Sequence, residues 1–302
     1  MAGVTTTFRE QAIVLGSQKS MVGILTPGQA RPGAAERPFV IMINAGIIHR
    51  VGPNRLHVEL ARILAADGFS SLRFDLSGIG DSDKRTDGLP LLDATLTDIR
   101  EVLDGLEASR GARQFVLLGL CSGADHGVFH AGADPRVVGL VLIDPSIPKT
   151  RGYYLRHYGS RLLKARSWLN LAGALPGHLF RLAQARSLEP LAQDPQEAAE
   201  APSVNSAQAR SYLKNAYQKA VDHGIEFLAV FSGDQEGRHN YREQILDALP
   251  GVSFGTRLRL ERFGDADHTF TFEADRRRLF DLIREWMQSR AFNRDPASPR
   301  VT

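Results

Sequence analysis

The 302-residue sequence predicts an α/β protein with a mostly parallel central sheet, flanking helices and an inserted helical lid. Two observations carry this expectation. Strand-like and helix-like segments alternate between residues 39 and 144 and again between 225 and 290, and such alternation requires crossover connections and parallel strand pairs. Between residues 149 and 223 the alternation gives way to helical pieces without a strand.

The elements follow in order. FREQAIVLG (8–16) and SMVGILTPG (20–28) are β-rich runs joined by a short polar turn, the pattern of an antiparallel hairpin. FVIMINAG (39–46) is an unbroken apolar run, which suits a strand covered on both faces. LHVELARILAADG (56–68) has helical spacing, with Leu56, Leu60, Ile63 and Leu64 on one face and Gly68 as the stop. Strand 70–76, helix 91–108, strand FVLLGL (115–120), a short helix from Ser122 and strand VVGLVLID (137–144) come next. After the helical block the chain reads strand IEFLAVFSG (225–233), helix 241–249, strand RLRLERFG (257–264) and helix 273–290. Residues 1–147 and 224–290 are thus expected to form the core, 148–223 a lid over the ligand-binding ends of the strands, and 291–302 a flexible tail.

Composition excludes several classes. No apolar run approaches the roughly 20 residues of a membrane span, and the N-terminal segment lacks a basic and apolar leader, so a cytoplasmic protein is expected. A single cysteine excludes an internal disulfide and a multi-cysteine zinc site. A net charge of +3 is too weak to argue for nucleic acid. Histidine spacing of the H-E-x-x-H kind is absent, and neither a metal nor an organic cofactor is expected.

The one cysteine has informative neighbours. Gly119-Leu120-Cys121-Ser122-Gly123 lies between an apolar strand and a helix, the arrangement of a G-x-nucleophile-x-G elbow. The turn brings the residues two before and two after the nucleophile together, so both must be small. Centring it on Cys121 places Gly119 and Gly123 there, whereas centring it on Ser122 places Leu120 and Ala124 there; Cys121 is therefore preferred.

This elbow, the loop Asp75-x-x-Gly78-x-Gly80-x-Ser82 and the strand order resemble the α/β-hydrolase superfamily over nearly the whole chain. Cysteine nucleophiles occur there in dienelactone hydrolases and acyl-CoA amino acid N-acyltransferases. The resemblance implies a histidine base after the last strand, where His268 lies, and an acid after the strand FLAVFSG. At that place Gly233-Asp234-Gln235-Glu236 offers Glu236 by position and Asp234 by residue type, and Asp144 at the end of the preceding strand is a third choice. The oxyanion donors would be the backbone N–H groups of Ser122 and of Ile47, the latter following Asn44-Ala45-Gly46. His49 and His57 are near enough in sequence to enter the pocket, and His126 reads as a core or boundary residue.

Eight basic residues and no acidic one lie between 149 and 188: Lys149, Arg151, Arg156, Arg161, Lys164, Arg166, Arg181 and Arg186. They form either a solvated face or an attractor for CoA, an acyl carrier protein or a carboxylate substrate. The expected function is acyl transfer or hydrolysis of a thioester through an S-acyl intermediate on Cys121. A dienelactone-type lactone or ester hydrolase and a non-catalytic binding protein of the same fold are the alternatives.

Overall fold

In the computed structural model, which describes residues 9–29, 37–162, 205–290 and 292, the first two strands, β1 (Gln11–Leu15) and β2 (Met21–Thr26), pair as the expected antiparallel hairpin. Strand β3 (Phe39–Ile43), helix α1 (Leu56–Ala66), strand β4 (Ser71–Phe74) and helix α2 (Leu91–Arg110) follow. Then come β5 (Phe115–Leu120), α3 (Ser122–Ala131), β6 (Val137–Ile143) and α4 (Arg151–Leu162). After the undescribed segment the chain forms α5 (Ala207–Asp222), β7 (Glu226–Ser232), α6 (Gln244–Ala248), β8 (Leu258–Phe263) and α7 (Glu273–Ser289). The eight strands lie in the order β1-β2-β4-β3-β5-β6-β7-β8, antiparallel through the β2–β4 contact and parallel thereafter.

The apolar runs are unbroken because both faces of the central strands are covered. In β5, Phe115 and Leu117 enter one core cluster while Val116, Leu118 and Leu120 enter the other, and β3 divides Ile41 and Ile43 from Val40 and Met42 in the same way. Buried residues of α2, α3 and α5 fill the first cluster and those of α1 and α7 the second. This two-faced burial holds the strand ends rigidly enough to carry chemistry.

The expected lid loses its last part to the core. Leu213, Tyr217, Ala220 and Val221 of α5 are buried, and the rings of Tyr217, Phe227 and Phe254 pack on one another 5.2–6.2 Å apart. Their spacing makes one apolar stripe along a helix, so α5 is a core helix leading into β7. The middle of the lid falls outside the described residues, as does the expected flexible tail except for Phe292, which is buried against Trp286. Helix α6 is shorter than the expected 241–249 span, because residues 233–243 form a bonded loop that bears on the site.

Strand register brings the candidate residues together. Leu120 pairs with Ile143 and Ile143 with Val230, so the chain leaves β5, β6 and β7 side by side. Cys121 follows β5, Asp144 follows β6, and His268 lies in the loop after β8.

Candidate active site

Cys121 sits at φ 54°, ψ −122°, outside the region a non-glycine residue ordinarily occupies. Its N–H donates to the Ile143 carbonyl (2.8 Å), and its carbonyl accepts from Ala124 N–H (3.0 Å), which starts α3. A methyl group on Gly119 would overlap the backbone of Gly123, and one on Gly123 would lie 2.6 Å from the Asn44 carbonyl oxygen. Both glycines are therefore steric requirements of a turn centred on Cys121. Ser122 begins the helix, and its hydroxyl accepts from the Gly46 N–H at 2.7 Å.

That hydrogen bond joins the elbow to the loop after β3, which is itself pinned. The Asn44 carboxamide donates to the Ile48 carbonyl (2.7 Å) and accepts from Leu76 N–H (2.8 Å). Asp75, fully buried, accepts from the Arg50 N–H (2.6 Å), the Arg50 guanidinium and the Asn44 amide. Gly80, at φ +54°, is needed here because a side chain would run into the Asp75 carboxylate. The D-x-x-G-x-G-x-S loop thus supports the loop that holds Gly46 and Ile47. Ile47 itself is 90% exposed, at the turn closed by Ile48 N–H on the Ala45 carbonyl.

The acid that meets His268 is Asp144. Its Oδ2 lies 2.7 Å from His268 Nδ1, which leaves Nε2 of the ring for the thiol. Asp144 is 3% exposed and adopts φ 47°, a conformation that aspartate tolerates better than most residues. Ser232 holds it further, its N–H donating to Oδ1 (2.7 Å) and its hydroxyl to Oδ2 (2.6 Å). Asp234 and Glu236, the two acids favoured by position and type, do not reach His268. Asp234 is exposed and contacts the Ser232 hydroxyl (3.1 Å), and Glu236 is exposed on the same loop. The physical reason is register. Asp144 N–H bonds to the Val230 carbonyl (2.8 Å), so the turn out of β6 directs its side chain across the end of β7, inside the position of the β7 loop.

The charges follow the geometry. Burial pushes Asp144 up, but its contacts with His239, His268 and Ser232 outweigh that and hold it well below the usual carboxylate range. Hydrogen bonds to Asp144 and Cys121 push His268 up to about 10. The Cys121 thiol is held below its ordinary value, chiefly by its hydrogen bond with His268 and further by Arg238, against the opposing effect of burial. Both shifts run toward a thiolate beside an imidazolium, the form in which a cysteine is a nucleophile.

Two residues of the β7 loop were not anticipated. Arg238 places Nη1 3.6 Å from Cys121 Sγ, and the buried ring of His239 places Nε2 3.2 Å from Asp144 Oδ1 without the alignment of a hydrogen bond. Neither had a signal in periodicity or motif. His49 and His57 are directed elsewhere, while His126 has the boundary position expected of it. His49 faces Asp75 and Asp81 at 3.4 and 3.5 Å, while His57 is buried against Gly52, and burial lowers it to about 4. His126 is half-buried and is lowered by that burial. His49, Asp75 and Asp81 are close enough to hold a cation, but the Arg50 guanidinium already bridges both carboxylates. Of the basic lid residues, Lys149 lies over the Tyr153 ring and Arg156 over the Tyr241 ring; Lys164, Arg166, Arg181 and Arg186 are outside the described residues. Among the described residues no helix is long and apolar enough to cross a membrane.

The fold is shared with several solved structures. The chain is similar to an esterase of Pyrococcus furiosus, with 14% identity over 94% of this chain and 91% of that one, at a TM-score of 0.57. It is similar to Est1E of Butyrivibrio proteoclasticus, with 16% identity over 92% and 97% of the two chains and a TM-score of 0.56. A dienelactone hydrolase of Anabaena variabilis is alike at 14% identity over 93% and 97%, with a TM-score of 0.53. No curated protein matches the chain. Residues 41–222, from within β3 to the end of α5, match the family described as serine aminopeptidase, S33; the match spans more than half of the sequence, and the chain belongs to this family of α/β-hydrolases.

Proposed function

We propose that the protein is an acyl hydrolase that works through an S-acyl intermediate on Cys121, with His268 as proton carrier and Asp144 as the carboxylate that orients it. The observation that carries this reading is the 2.7 Å contact of His268 with the buried Asp144 at the strand ends that also carry Cys121, with the thiol lowered and the imidazole raised by their interaction. The family's description names serine, and cysteine at the elbow changes the preferred substrate. A thiolate of lowered pKa exchanges readily with a thioester, since one C–S bond replaces another.

In the first step Sγ of Cys121 attacks the carbonyl carbon, forming a C–S bond while the carbonyl electron pair moves onto oxygen. The backbone N–H groups of Ser122 and Ile47 receive that charge. Collapse breaks the bond to the leaving group, which departs with the proton from His268 Nε2. A water molecule then attacks the acyl carbon and gives a proton to the now neutral His268, and breakage of the C–S bond restores the thiolate and imidazolium. An amine or alcohol in place of water makes the same chemistry an acyl transfer. The basic residues Lys149, Arg151 and Arg156 favour a negatively charged donor such as a CoA or carrier-protein thioester.

The kinship with a Pyrococcus esterase and a dienelactone hydrolase supports a second reading, simple ester or lactone hydrolysis by the same residues. Incubation with acyl thioesters and with aryl esters, followed by intact-mass measurement, separates the readings. The expected result is an acyl mass on Cys121, faster from thioesters, which is lost in Cys121→Ala. Absence of both adduct and turnover from every donor would overturn the catalytic reading.

A further inference from the structure

Resting on that reading, we infer that the natural acyl group carries a carboxylate close to the scissile carbonyl, and that Arg238 is the residue that recognises it. Arg238 is exposed, its guanidinium faces the nucleophile with Nη1 3.6 Å from Sγ, and among the described residues no carboxylate lies within ion-pair distance of it. The contrast with other arginines of the molecule is plain. Arg50 spans Asp75 and Asp81, Arg85 meets Asp87, Asp98 and Glu101, and Arg136 gathers Asp104, Glu107 and Asp134. Arg238 has its charge turned to the site, where Sγ is its partner until acylation removes the thiolate charge and leaves the guanidinium able to accept an anion.

The backbone that presents Arg238 is built for a fixed position. Its N–H donates to the Gln235 carbonyl (2.8 Å), and its carbonyl accepts from the Gln244 carboxamide (3.0 Å), whose residue is fully buried. On either side, the Tyr153 hydroxyl donates to the Gly237 carbonyl (3.0 Å) and the Asn240 amide donates to the Tyr153 carbonyl (3.0 Å), tying the loop to α4. Fixing the backbone from which the guanidinium extends removes part of the ordering cost of binding a ligand there. A nearby acid, Asp125, feels the charge of Arg238 but makes no ion pair with it; its Oδ1 accepts from the Ser146 N–H (2.8 Å) and burial raises its pKa.

Distance limits the chemistry. In an S-acyl enzyme a carboxylate one methylene away sits about 2.5 Å from the carbonyl carbon, since each C–C bond is about 1.5 Å. That places it beside a guanidinium already in contact with sulfur, in the fork geometry arginine offers a carboxylate. Malonyl-type half-thioesters are therefore the class favoured, and long neutral acyl chains gain nothing from this contact.

The test compares malonyl and isovaleryl thioesters of N-acetylcysteamine, two acyl groups of nearly equal shape that differ in charge. The quantity read is the ratio of their kcat/KM values, in which any effect of Arg238 on the thiolate itself cancels. The expected ratio in the unaltered protein favours malonyl by about 30-fold, as for one desolvated charge-assisted pair. It should fall to about 1 or below in Arg238→Gln and be partly kept in Arg238→Lys. Equal use of both thioesters by the unaltered protein, or a ratio unchanged by Arg238→Gln, overturns the inference while acyl adducts on Cys121 leave the proposed function standing. Failure of both substrates to acylate Cys121 would instead remove the function on which the inference rests.

Discussion

Strands β6 and β7 end side by side, and each is followed within a few residues by carboxylates, yet only one of them becomes part of the site. Asp144 leaves β6 in a left-handed turn, is almost wholly buried, and takes hydrogen bonds from Ser232 as well as contacting His268. Asp234 and Glu236 leave β7 into solvent, on a loop whose inward members are Arg238 and His239. The difference teaches that the end of β7 has exchanged roles. It supplies a cation beside Cys121 and a histidine contact to the acid of its neighbour, and its own carboxylates stay outside.

The comparison is most easily broken by paired substitutions. Asp144→Asn should lower kcat/KM by about 10³-fold, because an amide neither selects the productive tautomer of His268 nor stabilises its charged form. Asp234→Asn and Glu236→Gln should each stay within about threefold, in line with exposed side chains that touch no reacting group. Thioester turnover measured for the three variants under one condition checks the ranking, and a large loss in either β7 variant would reverse it.

That ranking was the part of the site least legible beforehand. The elbow could be read from five residues because its constraint is local: Gly119 and Gly123 must be small wherever the rest of the chain lies. His268 was legible through the resemblance, which places a histidine base in the loop after the last strand. Choosing among Asp144, Asp234 and Glu236 needs the register of β6 against β7, which no short stretch of sequence contains. Arg238 was missed for a similar reason, since an exposed loop arginine has no periodicity and its meaning comes only from facing Cys121 across 117 residues of chain. The inner boundary of the helical block was not legible, because 207–222 reads as helix without a strand like the residues before it, and only the burial of Leu213, Tyr217, Ala220 and Val221 ties it to the core.

The thiol sharpens the same comparison through pH. Since Cys121 is lowered and His268 is raised to about 10, the ion pair exists between those two titrations, which belong to the pair as a whole. Alkylation of Cys121 by iodoacetamide should therefore proceed below the reference thiol value of about 8.5. Removing the negative charge in Asp144→Asn lets His268 lose its proton at lower pH, so the thiolate loses its partner and its apparent pKa rises. The alkylation profile is expected to move to higher pH in Asp144→Asn, by about one unit for one pKa unit of lost interaction, while Asp234→Asn keeps the original profile.

The smallest effect is expected where the two strand ends meet. The Ser232 hydroxyl lies 2.6 Å from Asp144 Oδ2 and 3.1 Å from Asp234 Oδ1, and it has a single proton to donate. The shorter contact to the buried acid takes it, so Ser232 serves Asp144. Ser232→Ala removes that bond but leaves the backbone N–H on Oδ1, and the loss should be about 1 kcal/mol, or roughly fivefold in kcat/KM. Combining Ser232→Ala with Asp144→Asn should then cost little more than Asp144→Asn alone, because residues in one network are not additive. A double variant whose losses multiply would mean that the hydroxyl acts through Asp234 after all, and that the acid of β7 has a role independent of the acid of β6.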